Sequence, residues 1–351
     1  MSLVYKLNRI LYLAYRKNFI NGYRKSKKLS APTYVLWDCT RKCNLNCEHC
    51  GASDKIYRDE LSTDEIKSVI ADISEMGTKM FPVIGGEPFL REYLLDVLEY
   101  ANLKGLHTGI ASNGFFIDST VANKLRQIGV TSVQISLDGV EDTHNKIRKN
   151  NLSYRKATEA IRNLIDNNIK IVQVATTVTK KNIDELESIY SDLLALNVPK
   201  WRIGILMPIG RALESDIDIT IRDVSHVMDF IVTHNNNGID ISVTENIPFL
   251  FGYETSIRES PVVCPAGITL CCIGVSGNIR GCAEQPDIEK FIEGNVREIS
   301  LKDIWQRQFR MYRNGTVMFE DPKCAKCKYR YSCFGGCYAM REKSKHCFIG
   351  I

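Results

Sequence analysis

The chain has 351 residues, 44% of them hydrophobic, which is long and apolar enough for two or three domains with a buried core. Residues 1–30 carry eight basic residues and no acidic one, while the remaining 38 basic and 41 acidic residues leave the body of the chain slightly negative. This charge balance provides no extended basic surface for nucleic acid, so we expect no nucleic-acid partner.

The chain contains 13 cysteines and shows no secretory signal, because its apolar stretch 10–15 is short and is bounded by Arg9 and Arg16. That stretch is also too short to span a bilayer. Many thiols in a chain without an export signal are typical of metal ligation rather than of a disulfide framework. We therefore expect a cytoplasmic protein in a reducing environment.

Residues 1–30 are predicted to form a basic amphipathic helix, because apolar side chains recur at helical spacing between residues 3 and 15. The basic face suits peripheral contact with an anionic membrane surface or with an acidic partner. The alternative interpretation is a helix that caps the open end of a barrel and leaves its basic face in solvent.

From Thr33 to about Pro208 the sequence alternates between strand and helix patterns. The predicted strands are Thr33–Cys39, Met80–Ile84, His107–Ala111, Ser132–Leu137, Ile169–Val178 and Trp201–Leu206. The predicted helices between them begin at Ser62, which forms a capping box with Glu65, and at Arg91, Asp118, Ser153 and Asn182. Six strands separated by helices predict a parallel sheet with right-handed crossovers, either an open partial barrel or a doubly wound sheet.

Directly after the first predicted strand, Cys43, Cys47 and Cys50 lie on one short loop. Thiolates at this spacing can hold three corners of a cube-shaped iron–sulfur cluster, which is normally closed by four thiolates. The fourth iron then keeps a position for another ligand. An open metal position is typical of a reactive site rather than of a structural one.

Each of the next three predicted strands ends in a loop of glycine and polar residues, and such strand ends form the sites of parallel α/β folds. The loops are Gly85-Gly86-Glu87-Pro88, Ser112-Asn113-Gly114 and Ser136-Leu137-Asp138-Gly139. Paired glycines let the backbone approach a ligand closely. Glu87 can receive an ammonium group, Asp138 can accept from ribose hydroxyls, and Arg148 can pair with a carboxylate.

The cysteine loop and the Gly85–Pro88 loop resemble the two most specific signatures of the radical S-adenosylmethionine (SAM) superfamily, over roughly residues 33–208. The resemblance implies a partial (β/α)6 TIM-like barrel of α/β class. It implies that Cys43, Cys47 and Cys50 bind a 4Fe–4S cluster whose open iron SAM chelates through its amino and carboxylate groups. Other cofactor contacts that it implies are made by Gly85, Gly86, Glu87, Pro88, Ser112, Asn113, Ser136, Asp138 and Arg148.

The C-terminal cysteines follow a second pattern: Cys264, then Gly277 and Cys282, then Cys324, Cys327, Cys333, Cys337 and Cys347. This pattern resembles the SPASM domain of many radical enzymes that modify peptides and proteins. The resemblance implies two auxiliary 4Fe–4S clusters. One would be held by Cys264, Cys282 and Cys337, and the other by Cys324, Cys327, Cys333 and Cys347.

Two alternatives stay open for these cysteines. The first set lacks a fourth cysteine, so Cys271, Cys272 or a group of the substrate would occupy its remaining iron. Taken alone, the run Cys324, Cys327, Cys333 and Cys337 also fits a tetrahedral zinc site.

The two resemblances together imply an oxidoreductase that cleaves SAM reductively to a 5′-deoxyadenosyl radical and oxidatively modifies a peptide or protein, by a cross-link or related C–H functionalisation. The expected cofactors are three 4Fe–4S clusters and SAM, and the expected electron donor is of flavodoxin or ferredoxin type. Sulfatase maturation and tetrapyrrole modification are alternative reactions. An iron–sulfur electron-transfer protein is the non-enzymatic alternative.

The expected organisation of the chain has four parts. They are a basic N-terminal helix over 1–30, a radical SAM barrel over 31–210, a connector over 211–263 and a SPASM domain over 264–351.

Overall fold

A computed structural model describes residues 11–19, 22, 30–52, 59–244, 246–247, 249–313 and 321–343. Its main feature is a sheet of parallel strands. The strands are β1 Tyr34–Asp38, β2 Met80–Ile84, β3 His107–Ser112, β4 Ser132–Ser136, β5 Ile171–Val178, β6 Lys200–Ile205, β7 Asp240–Val243, β8 Leu270–Ile273, β9 Asn278–Arg280 and β10 Ile292–Asn295.

Within the described residues these strands form one sheet in the order β10-β9-β8-β1-β2-β3-β4-β5-β6-β7. Strands β1 to β7 are parallel to their neighbours. Their order follows the chain without the reversal that a doubly wound sheet requires. The predicted parallel sheet is therefore confirmed, and the open, TIM-like partial barrel is the correct one of the two alternatives.

The sheet extends beyond the six predicted strands on both sides. Strand β7 lies inside the segment 211–263, which we predicted as a connector without a strand of the sheet, so the strand prediction stopped one strand short on this side. On the other side, β8 pairs in parallel with β1, β9 pairs antiparallel with β8, and β10 pairs antiparallel with β9. The cysteine-rich C-terminal part thus begins as a continuation of the barrel sheet.

Helices follow most strands of the sheet, and several of them pack against it. In chain order they are α1 (residues 11–19), α2 Thr63–Met76, α3 Leu94–Leu103, α4 Ser119–Gln127, α5 Glu141–Arg148, α6 Ser153–Asp166, α7 Leu186–Ala195, α8 Ile221–His234, α9 Glu254–Ile257, α10 Leu301–Arg307, α11 Arg310–Arg313, α12 Pro322–Lys326, α13 Arg330–Cys333 and α14 Tyr338–Lys343.

Local sequence explains the start and end of several helices. Ser62 and Glu65 form the predicted capping box of α2, and Gly77 ends that helix in the left-handed conformation with φ 92°. The Asp118 carboxylate accepts from the backbone N–H of Val121 at 2.8 Å, as expected for the cap of α4. Each cap satisfies a backbone group that the helix itself leaves unpaired.

A short helical turn, Ile183–Glu185, begins after Asn182 as predicted, but the Asn182 side chain makes no capping bond to it. Its amide instead donates to the backbone oxygens of Asp138 and Thr177, at 2.7 and 2.9 Å, and its Oδ1 accepts from Thr179 N at 2.7 Å. Asn182 therefore connects the ends of β4 and β5.

The described part of the N-terminal helix, α1, packs against the protein body through Arg16, which is fully buried. The guanidinium pairs with the Glu254 carboxylate at 2.5 Å, donates to the backbone oxygens of Val262 and Ser332 at 2.6 and 2.5 Å, and lies 4.7 Å from the ring centre of Phe249. This helix therefore bridges the segment after β7 and the C-terminal cysteine-rich part.

The predicted basic helix over 1–30 is described only at residues 11–19, 22 and 30, and the rest of that prediction lies outside the described residues. Lys17, also predicted to belong to the basic face, is exposed with its ammonium 5.4 Å from the ring centre of Tyr331. In the described part of the chain, no helix combines the length and apolar character needed to cross a membrane.

Replacing Arg16 by Met is expected to destabilise the fold by about 3–5 kcal/mol, because it removes the closer of the two arginines that pair with the buried Glu254 charge and leaves only Arg258, at 3.9 Å. Thermal unfolding measures the loss. Lys17→Met is the matched control, since Lys17 is exposed on the same helix and its removal should change stability by about 0.5 kcal/mol at most. Equal melting of the two variants would contradict the role of the buried pair.

Candidate active site

The cysteine loop follows β1 at the carboxyl edge of the parallel strands. Its three thiols are free; Cys43 is exposed, Cys50 is half-buried and Cys47 is buried. The Cys43 sulfur accepts from the backbone N–H of Leu45 at 3.4 Å. Burial raises the pKa of Cys43 to about 11, and the charges of Cys47 and Cys50 add to the rise, so the three thiols are within electrostatic reach of one another.

The loop is held in place by residues far away in sequence. Glu48 N donates to the backbone oxygen of Ile147 at 2.9 Å, at the end of α5. Arg211 donates from Nε to the oxygen of Cys47 at 2.7 Å and from its backbone N–H to the oxygen of Cys50 at 3.1 Å. Sequence reasoning gave Arg211 no role, because no local spacing connects it with the cysteines.

The Gly85–Pro88 loop lies directly against the chain that leads into the cysteine loop. Gly86 N donates to Thr40 O at 2.7 Å, and Glu87 N donates to Lys42 O at 2.8 Å. A Cβ atom at Gly86 would lie 2.2 Å from Lys42 O, which is far inside contact distance. Only glycine permits this approach, and the approach fixes the Glu87 carboxylate relative to the cysteines.

Glu87 is fully buried and accepts three hydrogen bonds. Ser112 Oγ donates to Oε1 at 2.8 Å, Asn113 N donates to Oε2 at 2.9 Å, and Phe89 N donates to Oε1 at 3.3 Å. Burial raises the pKa of Glu87, and these three bonds oppose the rise by stabilising the carboxylate. Pro88 begins the short helical turn Pro88–Leu90 that follows Glu87.

Ser112 and Asn113, predicted to contact the cofactor, therefore lie beside Glu87. Asn113 also reaches the cysteine loop, because its amide Nδ2 donates to Asn44 Oδ1 at 2.8 Å. Ser136 is the last residue of β4 and is half-buried. Cofactor contact by these three residues stays a prediction.

Asp138 and Arg148 face each other rather than pointing separately toward a ligand. The guanidinium donates from Nε and Nη2 to Asp138 Oδ2, at 2.7 and 2.5 Å, and Thr177 N donates to Oδ1 at 2.9 Å. Arg148 Nη1 lies 3.8 Å from the sulfur of Cys47. The structure thus places a positive charge next to a predicted cluster ligand, and the predicted ribose and carboxylate contacts of this pair stay predictions.

Two histidines complete the surroundings of Asp138. His49 Nε2 is 3.5 Å from Asp138 Oδ2, and His144 Nδ1 accepts from the backbone N–H of Asp138 at 2.9 Å. Burial lowers the pKa of His49 to about 4 and that of His144 to about 3, so both rings are neutral at physiological pH. His144 belongs to α5, a helix that the sequence patterns did not predict.

Asp138→Asn is expected to cost about 3–5 kcal/mol of stability at neutral pH, because it leaves the buried Arg148 charge unpaired. Burial alone would raise the pKa of Asp138, but Arg148, followed by the two histidines and Thr177 N–H, lowers it to about 2. Because folding lowers the pKa of Asp138, its ionised carboxylate stabilises the folded state fully at pH values above about 3.9, the pKa of an aspartate in the unfolded chain. The contribution disappears as pH falls through about 2.

Urea unfolding of wild type and Asp138→Asn across this acid range measures that dependence. The stability difference between them should be constant above the unfolded carboxyl pKa and shrink below it. The exposed Asp166 supplies the control variant Asp166→Asn, which should show no such trend. A difference that persists at the lowest pH would contradict the assignment.

The three cysteines of the first predicted auxiliary set, Cys264, Cys282 and Cys337, all pack against the main hydrophobic core. Burial raises the pKa of Cys282, and the charges of Glu284, Cys264 and Cys337 raise it further. Burial raises the pKa of Cys337 to about 12, with Cys264 the next cause and Glu284 also contributing. Their role as ligands stays a prediction.

Of the second predicted set, Cys347 lies outside the described residues. Cys324 lies in α12, Cys327 follows that helix, and Cys333 ends α13. The Cys327 sulfur accepts from Tyr329 N at 3.4 Å. Across the described ranges, no three His, Cys, Asp or Glu side chains are close enough to hold a single metal ion.

Two stretches of the chain match the models of known protein families. Residues 37–193 match the model of the Radical SAM superfamily, and residues 264–328 match the SPASM model, described as an iron-sulfur cluster-binding domain. These two domains imply a SAM-binding 4Fe–4S cluster and auxiliary clusters.

The chain is similar over most of its length to two kinds of curated protein. It is 27% identical to an AdoMet-dependent heme synthase of Methanosarcina barkeri over 335 residues, covering 87% of this chain and 91% of that protein. It is 28% identical to the mycofactocin maturase MftC of Mycolicibacterium smegmatis over 318 residues, covering 89% and 80%.

A solved structure shares the fold. SuiB of Streptococcus suis bound to S-adenosylmethionine superposes with a TM-score of 0.75 at 16% identity, covering 93% of this chain and 79% of that chain; SuiB has also been solved with its precursor peptide SuiA. The chain therefore carries a radical SAM domain over residues 37–193 and an iron-sulfur cluster-binding SPASM domain over residues 264–328, and it is an enzyme of the radical SAM type.

Proposed function

We propose that Cys43, Cys47 and Cys50 hold the SAM-binding cluster and that Gly85–Glu87 hold the amino-acid end of SAM beside it. The observation that carries this assignment is the backbone contact between the two loops, Gly86 N to Thr40 O and Glu87 N to Lys42 O. The residues fit the groups, because free thiols and a buried carboxylate converge on one sheet edge. When bound, the cluster supplies the electron that cleaves SAM to a 5′-deoxyadenosyl radical.

Residues next to the cysteine loop would favour the binding of the cluster and of SAM. The Arg148 charge, 3.8 Å from the Cys47 sulfur, favours the thiolate that metal binding requires. Asp138 fixes the guanidinium, and Arg211 fixes the loop through two of its backbone oxygens. Glu87, whose pKa burial raises, would be held ionised by the ammonium of SAM.

The substrate class that we propose is a peptide or protein, which the enzyme modifies oxidatively. The similarity to the mycofactocin maturase MftC supports this class, and SuiB, solved with its precursor peptide, has the same fold. We further propose a flavodoxin- or ferredoxin-type electron donor and a cytoplasmic location, since both suit reduced thiols and oxygen-labile clusters.

We also propose the domain boundaries 31–210, 211–263 and 264–351. The segments 37–193 and 264–328, which match the two family models, fall inside the first and last of these ranges.

A second candidate substrate is a tetrapyrrole with carboxylate side chains. The similarity to AdoMet-dependent heme synthase supports it. Sulfatase maturation stays a further alternative that is consistent with the same kind of enzyme.

The test is anaerobic reconstitution with iron and sulfide, followed by SAM and dithionite. We expect 5′-deoxyadenosine and methionine in the absence of any partner protein. A peptide encoded by a neighbouring reading frame, or an iron tetrapyrrole, is then added in parallel. The true substrate class should raise the deoxyadenosine yield and change its own mass. No deoxyadenosine under any condition would overturn the proposal.

A further inference from the structure

Helix α5 ends against the cysteine loop. Its last turn makes two contacts with that loop: Ile147 O accepts from Glu48 N at 2.9 Å, and Arg148 Nη1 lies 3.8 Å from the Cys47 sulfur. The position of α5 therefore decides how far the Arg148 charge lies from the thiolate that would bind the cluster.

The start of α5 has no capping side chain of its own. Val140 occupies the N-cap position, and its apolar side chain makes no capping hydrogen bond. The Glu185 carboxylate, which comes from the short turn before α7, binds this end of the helix instead. Its Oε2 accepts from Val140 N at 3.1 Å, and its Oε1 accepts from the Thr143 hydroxyl at 2.5 Å. The helix dipole also favours a negative charge at this end.

Glu185 packs closely against the turn that joins β4 to α5. A Cβ atom at Gly139, the residue after Asp138, would lie 2.9 Å from Glu185 Oε2 and 3.0 Å from Thr143 Cβ. The carboxylate can reach the first turn of the helix because Gly139 has no side chain. Glu185 thus holds α5 at the same turn that presents Asp138 to Arg148.

The loop between β5 and α7 also contacts the cysteine loop directly. Lys181 Nζ lies 2.6 Å from Glu48 Oε2, and Lys181 is exposed. An exposed ion pair contributes only about 0.2–1 kcal/mol. Glu185, which is half-buried and accepts two hydrogen bonds, is therefore the residue of this loop that holds α5 in place.

We propose that Glu185 is a positioning residue for the SAM-binding cluster: it fixes the first turn of α5, and α5 in turn holds the Arg148 guanidinium beside the Cys47 sulfur. This inference rests on the proposed function, which assigns Cys47 to that cluster. The charge around an iron–sulfur cluster contributes to its reduction potential. A positive charge stabilises the reduced cluster, which carries one electron more, so Glu185 keeps the potential higher than it would be with α5 displaced.

The test is a redox titration of the reconstituted full chain, followed by electron paramagnetic resonance. The SAM-binding cluster is the one whose reduced spectrum changes when SAM is added, because its open iron takes SAM as a ligand. Glu185→Ala removes both hydrogen bonds to α5. We expect the midpoint potential of this cluster to fall by about 59 mV, which is a tenfold change in a one-electron equilibrium. Tenfold is the lower end of the effect of removing an outer-shell partner of a metal site.

Glu185→Gln separates the position of α5 from the charge of the carboxylate. Glutamine keeps an oxygen for Val140 N and offers its amide to the Thr143 hydroxyl, so α5 stays in place and the potential should remain that of the wild type. A direct effect of the carboxylate charge would instead raise the potential in Glu185→Gln and Glu185→Ala alike, since both variants remove a negative charge.

Asp184→Ala is the matched control, since this neighbouring carboxylate is exposed and its removal should leave the potential unchanged. Thr143→Val removes only the hydroxyl that binds Glu185, and it should lower the potential in the same direction by a smaller amount. It replaces Glu185→Ala as the test if circular dichroism shows that Glu185→Ala does not fold.

The proposal is overturned if the variant that removes the contact keeps the wild-type potential, or if Glu185→Gln shifts as far as Glu185→Ala. A wild type in which no cluster responds to SAM would overturn the proposed function and this inference with it. A SAM-responsive wild type with unshifted variants would overturn the role of Glu185 alone.

Discussion

Cys47→Ala is expected to abolish the formation of 5′-deoxyadenosine from SAM, a loss of at least about 100-fold, because outer-shell partners of a metal site alone are worth about 10–100-fold. Cys47 is the buried cysteine of the loop, and other residues of the protein contact both its sulfur and its backbone oxygen. Its sulfur lies 3.8 Å from Arg148 Nη1, and its backbone oxygen accepts from Arg211 Nε. Replacing Cys47 by Ala removes the thiol beside Arg148 that would bind the cluster.

The measurement is the deoxyadenosine yield after anaerobic reconstitution with SAM and dithionite, together with the iron content. Iron should fall by about four atoms per chain, while the auxiliary clusters remain. Cys39→Ala is the matched control: Cys39 follows the same strand, its side chain is buried, and its backbone N–H donates to Ile84 O at 2.9 Å, a bond that the substitution leaves in place. Activity retained in Cys47→Ala, or lost equally in Cys39→Ala, would contradict the assignment.

The strands of the barrel could be predicted from the sequence because their signals are local. Met80–Ile84 was predicted with the bounds that the structure shows, and the Ser62 capping box and the Gly77 helix end are formed by residues close in sequence. The position of the site followed from the same information, since the carboxyl ends of parallel strands meet at one edge.

The contacts that shape the site could not be predicted, because they join residues far apart in the chain. Arg148 is an example: its charge suggested a partner of opposite sign, but nothing local indicated that Asp138 would take that place. Arg211 reaches Cys47 across 164 positions. Asn182 has the residue type of a helix cap, yet backbone groups of Asp138 and Thr177 recruit its amide.

The C-terminal part shows the same limit. Cysteine spacing led to the resemblance that implies the auxiliary set Cys264, Cys282 and Cys337, and the role of these thiols as ligands stays a prediction. It did not predict that β8 would pair with β1, because a four-residue strand carries little periodicity. That pairing places Cys271 opposite Val35 and Cys272 opposite Leu36, so the two thiols point to opposite faces of the sheet.

Gly86→Ala is expected to reduce SAM cleavage by about 100-fold or more, because a displacement of about 1 Å at a reacting group can cost that much. The new Cβ atom would lie 2.2 Å from Lys42 O, 2.8 Å from Lys42 C and 3.0 Å from Arg41 O, all of them backbone atoms. A side chain could rotate away, but backbone cannot. The Gly85–Pro88 loop must therefore separate from the cysteine loop.

The separation breaks the hydrogen bonds from Gly86 N to Thr40 O and from Glu87 N to Lys42 O, and Glu87 moves away from the cysteines. Equilibrium dialysis with SAM should show weakened binding, while the iron content stays that of the wild type because no thiol has been removed. Gly22→Ala is the control, since its Cβ would meet no atom within 4 Å. A Gly86→Ala enzyme that binds and cleaves SAM as Gly22→Ala does would show that the contact between the two loops is not what positions the cofactor.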